Sequence, residues 1–227
     1  MDTLNFVDTR NAGIYEDKFS KGLIDHEYPN VNTVRISKAF YPKSGKVLDY
    51  GFGYTQEVIH FLKRGYEVWG LDVSQSAVKT GYQKLKKFDL NSNLAHLESI
   101  DPQWNKLPYV DNFFDVVHSN QAIYFLADQN KIKNLLQEFK RVLKPQGKFS
   151  ISTMGPENSF CSQGTKVGEN LYRPNQNDDA PTCYVFPNEN ALRDAFSIFE
   201  IVEVGSFNNV YCGTNGFHWV VIGRNKK

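Results

Sequence analysis

The chain has 227 residues, the size of one α/β domain, and 41% of them are hydrophobic. Its 26 lysines and arginines balance 25 aspartates and glutamates, which argues against a protein that binds nucleic acid by neutralising phosphates. The three cysteines lie far apart, so neither a structural zinc site nor a disulfide framework is indicated. No apolar run could cross a bilayer and the first residues do not form a secretory signal, so we expect a cytoplasmic protein with no membrane contact.

The first two thirds of the chain divide into a helical cap and a repeating pattern of strands and helices. Residues 1–44 predict the cap, with amphipathic helices over 12–24 and 31–40. In residues 45–153, short apolar runs alternate with helical periodicity, which predicts a mainly parallel sheet covered by helices on both faces. The predicted strands are 46–50, 67–72, 94–100, 115–119 and 148–153. The predicted helices between them are 56–63, one capped by Ser74 that continues through Leu85, and 132–143.

A long irregular segment precedes the last elements. Residues 154–187 are rich in Asn, Gly, Pro, Asp and aromatic residues, and an insertion of this length predicts a substrate lid, with a solvated loop or a dimer contact as alternatives. Residues 188–227 predict a helix and two strands, 199–207 and 217–223, which pair antiparallel because no helix fits between them. Residues 1–227 are therefore expected to form a single α/β domain. Its fold is a Rossmann-like doubly wound sheet of seven strands, mostly parallel with an antiparallel last strand.

The turn after the first predicted strand carries the strongest chemical signal. It contains Gly51 and Gly53, which let the backbone approach a ligand closely, and Asp72 ends the next strand, where a carboxylate can accept both hydroxyls of a ribose. A dinucleotide site would have a third glycine where Gln56 stands, and Asp49 would repel a phosphate but attract an ammonium group. These residues indicate a nucleoside that carries a cation.

Four segments in order resemble the successive motifs of class I S-adenosylmethionine-dependent methyltransferases of the small-molecule type. They read VLDYGFGYTQEVIHFL, GYEVWGLDVSQSAV, LPYVDNFFDVVHSNQAIYFL and FKRVLKPQGKFSIS, and together they cover about residues 44–154. The closing pair of strands suits the same family. One departure is Thr55, which replaces the last glycine of the family's D-x-G-x-G-x-G pattern and is expected to narrow the loop without abolishing binding.

The resemblance implies S-adenosylmethionine as the cofactor and assigns residues to it. Gly51 and Gly53 would contact the methionine part, and Asp49 with the backbone near Tyr50 would orient its amino group. Asp72 would bind the ribose hydroxyls, and Val73, Asp101 and Trp104 would contact the adenine. Ser119 and Asn120 would face the sulfonium end of the cofactor. Two alternatives stay open, namely that Asp72 only caps the next helix and that Trp104 only packs on the surface.

Acceptor and catalytic residues are less well defined by the sequence. Tyr124 follows the fourth strand, where the family places active-site side chains, and His218 lies on the last strand; both are candidate catalytic residues, and a structural role is the alternative for each. The candidate substrate-binding residues are Tyr15 on the N-terminal helix, Tyr124, and Tyr172 and Arg173 in the lid. Phe19 and Tyr15 are expected either to close over the cofactor or only to hold the N-terminal helix on the core.

The leading hypothesis is an enzyme that transfers a methyl group from S-adenosylmethionine to the oxygen or nitrogen of a small polar metabolite. No dedicated base and no acidic metal-binding cluster stands out, so we expect metal-independent catalysis by proximity and orientation, in a monomer or homodimer. The alternatives are a protein that binds S-adenosylmethionine without turnover and an NAD-dependent oxidoreductase. A nucleic-acid methyltransferase is disfavoured because no N-P-P-Y-type tetrapeptide follows the fourth strand.

Overall fold

The computed structural model of the chain describes residues 3–22, 28–174 and 180–226. The helices are α1 Thr3–Ser20, α2 Val31–Ala39, α3 Gln56–Lys63, α4 Gln75–Lys87, α5 Gln129–Val142, α6 Ser159–Ser162 and α7 Glu189–Ala195. The strands are β1 Gly45–Tyr50, β2 Tyr66–Asp72, β3 Ala95–Ser99, β4 Phe114–Ser119, β5 Leu143–Met154, β6 Thr165–Gly168, β7 Leu171–Arg173, β8 Cys183–Tyr184, β9 Glu200–Phe207, β10 Val210–Tyr211, β11 Thr214–Asn215 and β12 His218–Arg224.

Seven of these strands form one sheet in the order β3-β2-β1-β4-β5-β12-β9. Strands β1 to β5 pair in parallel with their neighbours, whereas β12 lies antiparallel between β5 and β9. The predicted doubly wound sheet with an antiparallel last strand is therefore confirmed. From the boundary between β1 and β4, β2 and β3 follow towards one edge of the sheet and β5 follows towards the other. Ligands of such sheets bind beyond the carboxyl ends of the strands at this point.

Adjacent residues of the central strands face opposite sides of the sheet and so build two cores. Val47 of β1 and Val116 of β4 pack with α3 and α4, in a core that contains Phe61. Leu48 and Val117 pack into the other core, whose buried residues come largely from α5, β5 and α7. Because both faces are covered, the middle of each of these strands is a run of adjacent apolar residues, and this is the pattern that predicted them.

Side-chain caps fix where the helices that border the ligand edge begin. The hydroxyl of Ser74 accepts a hydrogen bond from the amide of Ala77 at 3.0 Å, so the predicted cap of α4 is confirmed. Asp128 caps α5 by accepting from the amides of Asn130 and Lys131 at 2.6 and 3.1 Å. These caps place the first turns of both helices beside the loops that follow β2 and β4.

Two predicted boundaries are wrong. Helix α1 begins at Thr3, not at residue 12, because the apolar residues of this helix show almost no helical periodicity from which its start could be predicted. Strand β5 starts at Leu143, directly after α5, and not at residue 148. Leu143 pairs with Phe114, and a register shift before the pairing of Lys148 with Val116 accommodates the proline between them.

The segment 154–187 is not structureless, as the sequence suggested. It contains α6 and the three-stranded antiparallel sheet β6-β7-β8, in which Tyr172 pairs with both Lys166 and Cys183. Burial of Tyr184 and Phe186 holds this small sheet on the main core. The aspartates 178 and 179 that the sequence placed in the lid lie outside the described residues.

The side chain of Asn225, directly after β12, ties this end of the chain to the centre of the fold. Asn225 is fully buried, and its amide nitrogen donates to the carbonyls of Lys140, Leu143 and Lys144 at 3.0, 3.0 and 3.3 Å. It thereby satisfies carbonyls at the end of α5, which have no partner within the helix.

We predict that Asn225→Ala lowers the free energy of unfolding by about 1–3 kcal/mol, because buried carbonyls lose their donor. Chemical denaturation would measure the loss. Asn93→Ala, in an exposed turn, is the control and should leave stability within about 0.5 kcal/mol of the parent. Equal effects of the two changes would show that the Asn225 side chain does not hold the α5–β5 junction.

Candidate active site

A cavity of about 540 Å³ opens at the carboxyl edge of β1, β2 and β4, where the topology predicts a ligand site. This volume lies within the usual range of small-molecule sites. The loops that follow β1, β2, β3 and β4 form its floor and sides, while α1 and residues Asn209 and Tyr211, at the β10–β11 hairpin, contribute to its rim. Within the described residues, nothing from 154–187 lines this cavity.

The turn after β1 adopts a conformation that only glycine takes without strain. Gly51 and Gly53 have φ angles of +73° and +46°, and the Gly51 amide donates to the carbonyl of Leu71 at 2.7 Å. A Cβ atom on Gly51 would lie 2.3 Å from the Cβ of Ala122 in the loop after β4. The absence of this side chain therefore lets the two loops approach each other beside the cavity.

Asp72 joins the first two loops. One of its carboxylate oxygens accepts from the amide of Gly53 and the other from the amide of Ser74, both at 3.0 Å. Burial raises the pKa of the Asp72 carboxyl, and these hydrogen bonds oppose that rise. Because Ser74 itself caps α4, the capping role proposed as an alternative for Asp72 belongs to its neighbour.

Asp49 is a buried carboxylate whose capacity to accept hydrogen bonds is not fully used. It is 2% exposed and lines the cavity, and its Oδ2 atom has no hydrogen-bond partner among the described residues. Burial raises the pKa of Asp49 well above its ordinary value, and the carboxyls of Glu57 and Asp72 raise it further. A positively charged ligand group beside Asp49 would remove this penalty.

Glu57 is a site residue that the sequence interpretation missed. It is 3% exposed, lies in the first turn of α3 and lines the cavity. Its Oε1 atom accepts from the Asn30 amide at 3.0 Å and from the Asn120 side chain at 3.4 Å, which brings the predicted Asn120 into the same site. Burial raises the pKa of Glu57. In the sequence, only the position of Glu57 four residues after Gly53 could have marked it as a site residue.

The loops after β2 and β3 bring apolar surfaces to one side of the cavity. Val73 and Trp104 line it, together with Ile100 and Pro102. Asp101 is exposed, does not line it, and accepts from the amide of Gln103 at 2.8 Å within its own turn. The structure thus brings Trp104, but not Asp101, to the position predicted for adenine.

The predicted residues Tyr50 and Ser119 lie at the ends of the two central strands. Tyr50 lines the cavity, and the buried Ser119 hydroxyl donates to the carbonyl of Tyr50 at 3.0 Å. Ser119 itself is not part of the lining, so it supports the strand end from behind. Its neighbour Asn120 lines the cavity directly.

Helix α1 covers the cavity and is held at two points. Asn11 donates to the carbonyls of Phe125 and Thr182 at 2.7 and 2.8 Å and accepts from the Thr182 amide at 2.9 Å. Glu16 accepts from the Ser74 and Ser76 hydroxyls at 2.6 and 2.5 Å, at the N-terminus of α4. The segment 154–187 therefore supports the covering helix through Thr182, although it does not line the cavity.

Five rings form a continuous aromatic wall, made of Tyr54, Phe19, Tyr15, Phe125 and Tyr124. Successive ring centroids along this wall are 4.9, 6.5, 4.8 and 4.3 Å apart. All five residues line the cavity, from the glycine-containing turn to the segment after β4. Tyr15 and Tyr124 therefore lie together, as predicted, and Tyr54 and Phe125 are members that the sequence interpretation missed.

The other candidate acceptor residues lie elsewhere. His218 is buried behind Tyr124, with their ring centroids 5.9 Å apart, and does not line the cavity. Burial lowers its pKa, which keeps the imidazole neutral. Tyr172 and Arg173 belong to β7 and do not line the cavity either. Their proposed contact with substrate stays a prediction that this arrangement does not support.

Two further properties concern metals and membranes. The described residues contain no group of three or more His, Cys, Asp or Glu side chains that could hold a metal ion. Among them there is also no helix with the length and apolar character required to span a bilayer.

We predict that Gly51→Ala destabilises the protein more than Gly65→Ala. Both glycines have positive φ, so each change costs about 1–2 kcal/mol in backbone strain. Only Gly51→Ala also collides with Ala122, which adds about 1–3 kcal/mol, whereas a Cβ on Gly65 meets nothing within 4 Å. Thermal denaturation of both variants provides the comparison, and equal destabilisation would contradict the tight approach of the two loops.

We predict that Glu16→Gln weakens the docking of α1, by about 1 kcal/mol at neutral pH. Partial burial raises the pKa of Glu16, but hydrogen bonds from Ser74 and Ser76 outweigh it and leave the pKa lowered. A lowered pKa means that the carboxylate stabilises the fold above its unfolded value of about 4.3 and loses this effect as the pH falls through the folded value.

The stability difference between the parent and Glu16→Gln should therefore be constant at neutral pH and shrink below about pH 4. Unfolding free energies measured across this range would show it. Glu157→Gln, at an exposed position, is the control and should show no such difference. A difference that grows in acid would contradict the ionised contact.

Comparison with known proteins identifies relatives of the central region. A family model described as a methyltransferase domain matches residues 48–151. A demethylmenaquinone methyltransferase of Staphylococcus carnosus is 27% identical over 216 residues, which are 87% of this chain and 86% of that protein. The ubiquinone/menaquinone biosynthesis C-methyltransferase UbiE of Desulfotalea psychrophila is also 27% identical, over 82% of this chain and 77% of its own length. Several other curated relatives are longer, and the chain spans 62%, 49%, 33% and 21% of their lengths.

Solved structures share the fold. An S-adenosylmethionine-dependent methyltransferase from Methanosarcina mazei superposes with a TM-score of 0.70 at 18% identity, over 89% of this chain and 99% of that one. The region matched by the methyltransferase-domain model, residues 48–151, contains the turn after β1 and Asp72. The family resemblance predicted from the four motifs is thus confirmed, with S-adenosylmethionine as the cofactor of the family. Residues 48–151 thus match a methyltransferase domain, and the chain is similar to the class I S-adenosylmethionine-dependent methyltransferases.

Proposed function

We propose that the protein transfers a methyl group from S-adenosylmethionine to a small-molecule acceptor. The observation that carries this proposal is a single cavity that joins two kinds of surface. One side contains the loop residues Asp49, Gly51, Gly53 and Asp72, and the other is the aromatic wall that α1 and Tyr124 complete. A cofactor and an acceptor could therefore lie next to each other under one cover.

The lining fits the cofactor in its charge and in its shape. The unpaired Oδ2 of Asp49 suits the ammonium group, and the glycine turn admits the methionine chain close to the backbone. Asp72 would accept the ribose hydroxyls, and Val73 and Trp104 would enclose the adenine. Asp101 and Ser119 would act only indirectly, since neither lines the cavity.

Bound S-adenosylmethionine supplies an electrophilic methyl group on a sulfonium sulfur. The task of the protein is then to align the acceptor with that methyl group and to exclude water. Helix α1 excludes water, because Asn11 and Glu16 hold it over the cavity. The rings of Tyr15 and Phe125, 4.8 Å apart, provide a rigid surface against which an acceptor can be oriented.

The tyrosines of the cavity would position the acceptor rather than remove its proton. Burial raises the pKa of Tyr124 and of Tyr15 well above the ordinary value, so both hydroxyls stay protonated at neutral pH and can donate hydrogen bonds. His218 would support Tyr124 from behind. For an oxygen or nitrogen acceptor, the proton would pass to solvent or to a carboxylate of the site.

Two acceptor classes compete within this proposal. A small polar metabolite methylated at oxygen or nitrogen is supported by the hydroxyls of Tyr15, Tyr54 and Tyr124, which supply hydrogen bonds. Methylation at the carbon of a ring is the second candidate. The aromatic wall, on which planar rings stack, favours it, as do the two relatives named for quinone biosynthesis.

Calorimetric titration with S-adenosylhomocysteine should give a dissociation constant in the micromolar range, about −8 kcal/mol, and no heat with NAD. Asp72→Ala should weaken binding by roughly 1.5–3 kcal/mol for each charge-assisted bond lost. Asp101→Ala is the comparison at the neighbouring strand end and should change affinity little. Tight NAD binding, or full affinity in Asp72→Ala, would contradict the proposed cofactor site.

A further inference from the structure

The cavity has an unusual balance of charge. Three buried carboxylates, Asp49, Glu57 and Asp72, line it, and no lysine, arginine or histidine of the described residues does so. Among the described residues, the lining therefore offers an anionic acceptor carboxylates but no cation, and Lys18 contacts the Tyr15 ring without lining the cavity.

Asp49 and Asp72 both have cofactor groups to bind, but Glu57 does not. Its hydrogen bonds from Asn30 and Asn120, and a longer contact with Thr33 at 3.5 Å, all end on Oε1. Its second oxygen is not engaged by any of these three. The donors are neutral and bring no positive charge to Glu57. Burial raises the pKa of Glu57, and these contacts, which favour the carboxylate, oppose that rise.

The aromatic wall adds to this electrostatic character. The face of each ring carries a partial negative charge, which attracts cations and repels anions. The wall consists of five such rings. Tyr54, at one end, lies in the turn that precedes α3 and Glu57, and Tyr124, at the other end, follows the loop that contains Asn120. An acceptor between the wall and Glu57 would lie next to electron-rich groups, and the donors available to it are the tyrosine hydroxyls and neutral amides such as that of Asn120.

We propose that this cavity selects a cationic or uncharged acceptor, such as an organic amine or a neutral ring compound, and excludes metabolites that carry a carboxylate or phosphate. An amine bound as its ammonium ion would lose its proton to solvent or to a carboxylate of the site before its nitrogen takes the methyl group. Glu57 is the residue that determines this selection. The inference rests on the proposed function, because it assumes that the cofactor fills the part of the cavity next to Asp49 and Asp72. It goes further by naming the charge class of the acceptor.

Three probes of similar size and different charge test the proposal on the full-length protein saturated with S-adenosylhomocysteine. They are benzylamine as its ammonium ion, benzyl alcohol and benzoate, and their dissociation constants can be measured by ligand-observed NMR. We expect the ammonium ion and the alcohol to bind and benzoate to bind at least about tenfold more weakly than either, because like charges repel in a desolvated site.

The variant Glu57→Gln separates charge from shape. Glutamine keeps a carbonyl oxygen to accept from Asn30, so the fold is retained while the charge is removed. We expect benzoate to gain at least about threefold, the ammonium ion to lose a similar factor and the alcohol to stay unchanged. The control is Glu98→Gln, at an exposed position of β3, which should leave all three constants unchanged.

The outcomes distinguish the two proposals. If S-adenosylhomocysteine itself does not bind, the proposed function fails. If it binds, three results overturn the charge selection: benzoate binds as well as the other probes, none of the three binds, or Glu57→Gln leaves the discrimination against benzoate intact. Weak benzoate binding that Glu57→Gln relieves supports it.

Discussion

The carboxylate of Asp72 makes the contact on which the rest of the site depends. By accepting from the amides of Gly53 and Ser74, it fixes the loop after β1 against the loop after β2. Ser74 then caps α4, and together with Ser76 it donates to Glu16 of α1. A chain of hydrogen bonds thus runs from the floor of the cavity to its cover. The covering helix is positioned by the same loops that are proposed to hold the cofactor.

The site keeps buried carboxylates that the fold alone would not select. Asp49 and Glu57 are almost fully buried, and burial raises the pKa of both, so ionisation of either group works against folding. In Asp49 one oxygen lacks any partner among the described residues. Groups of this kind are expected where a ligand supplies the missing partner. Because these buried carboxylates lower the stability of the fold, their presence supports a cationic ligand in this part of the cavity.

The sequence predicted the sheet and the floor of the cavity because both depend on local patterns. Apolar runs such as 46–50 mark strands buried on both faces, and glycines after a strand with an acid at the next strand end mark the nucleoside site. The cover could not be predicted in this way. Asn11 contacts Thr182, 171 residues later in the chain, and Asn209 reaches the rim from a hairpin whose sequence shows no periodic pattern. Only tertiary packing brings these residues to the site.

Thr55 shows how the fold accommodates a departure from the family pattern. It has a φ of +72°, a region that β-branched residues avoid, and its hydroxyl is buried without a hydrogen-bond partner among the described residues. Space for its side chain comes from Gly81 of α4, where a Cβ would lie 3.1 Å from the Thr55 hydroxyl and 2.7 Å from Leu97. The turn thus has Thr55 in place of a glycine, and the facing helix α4 has a glycine, Gly81, opposite it. Because residue 81 has no side chain, α4 can pack closely against both β3 and Thr55, and the turn keeps its backbone path.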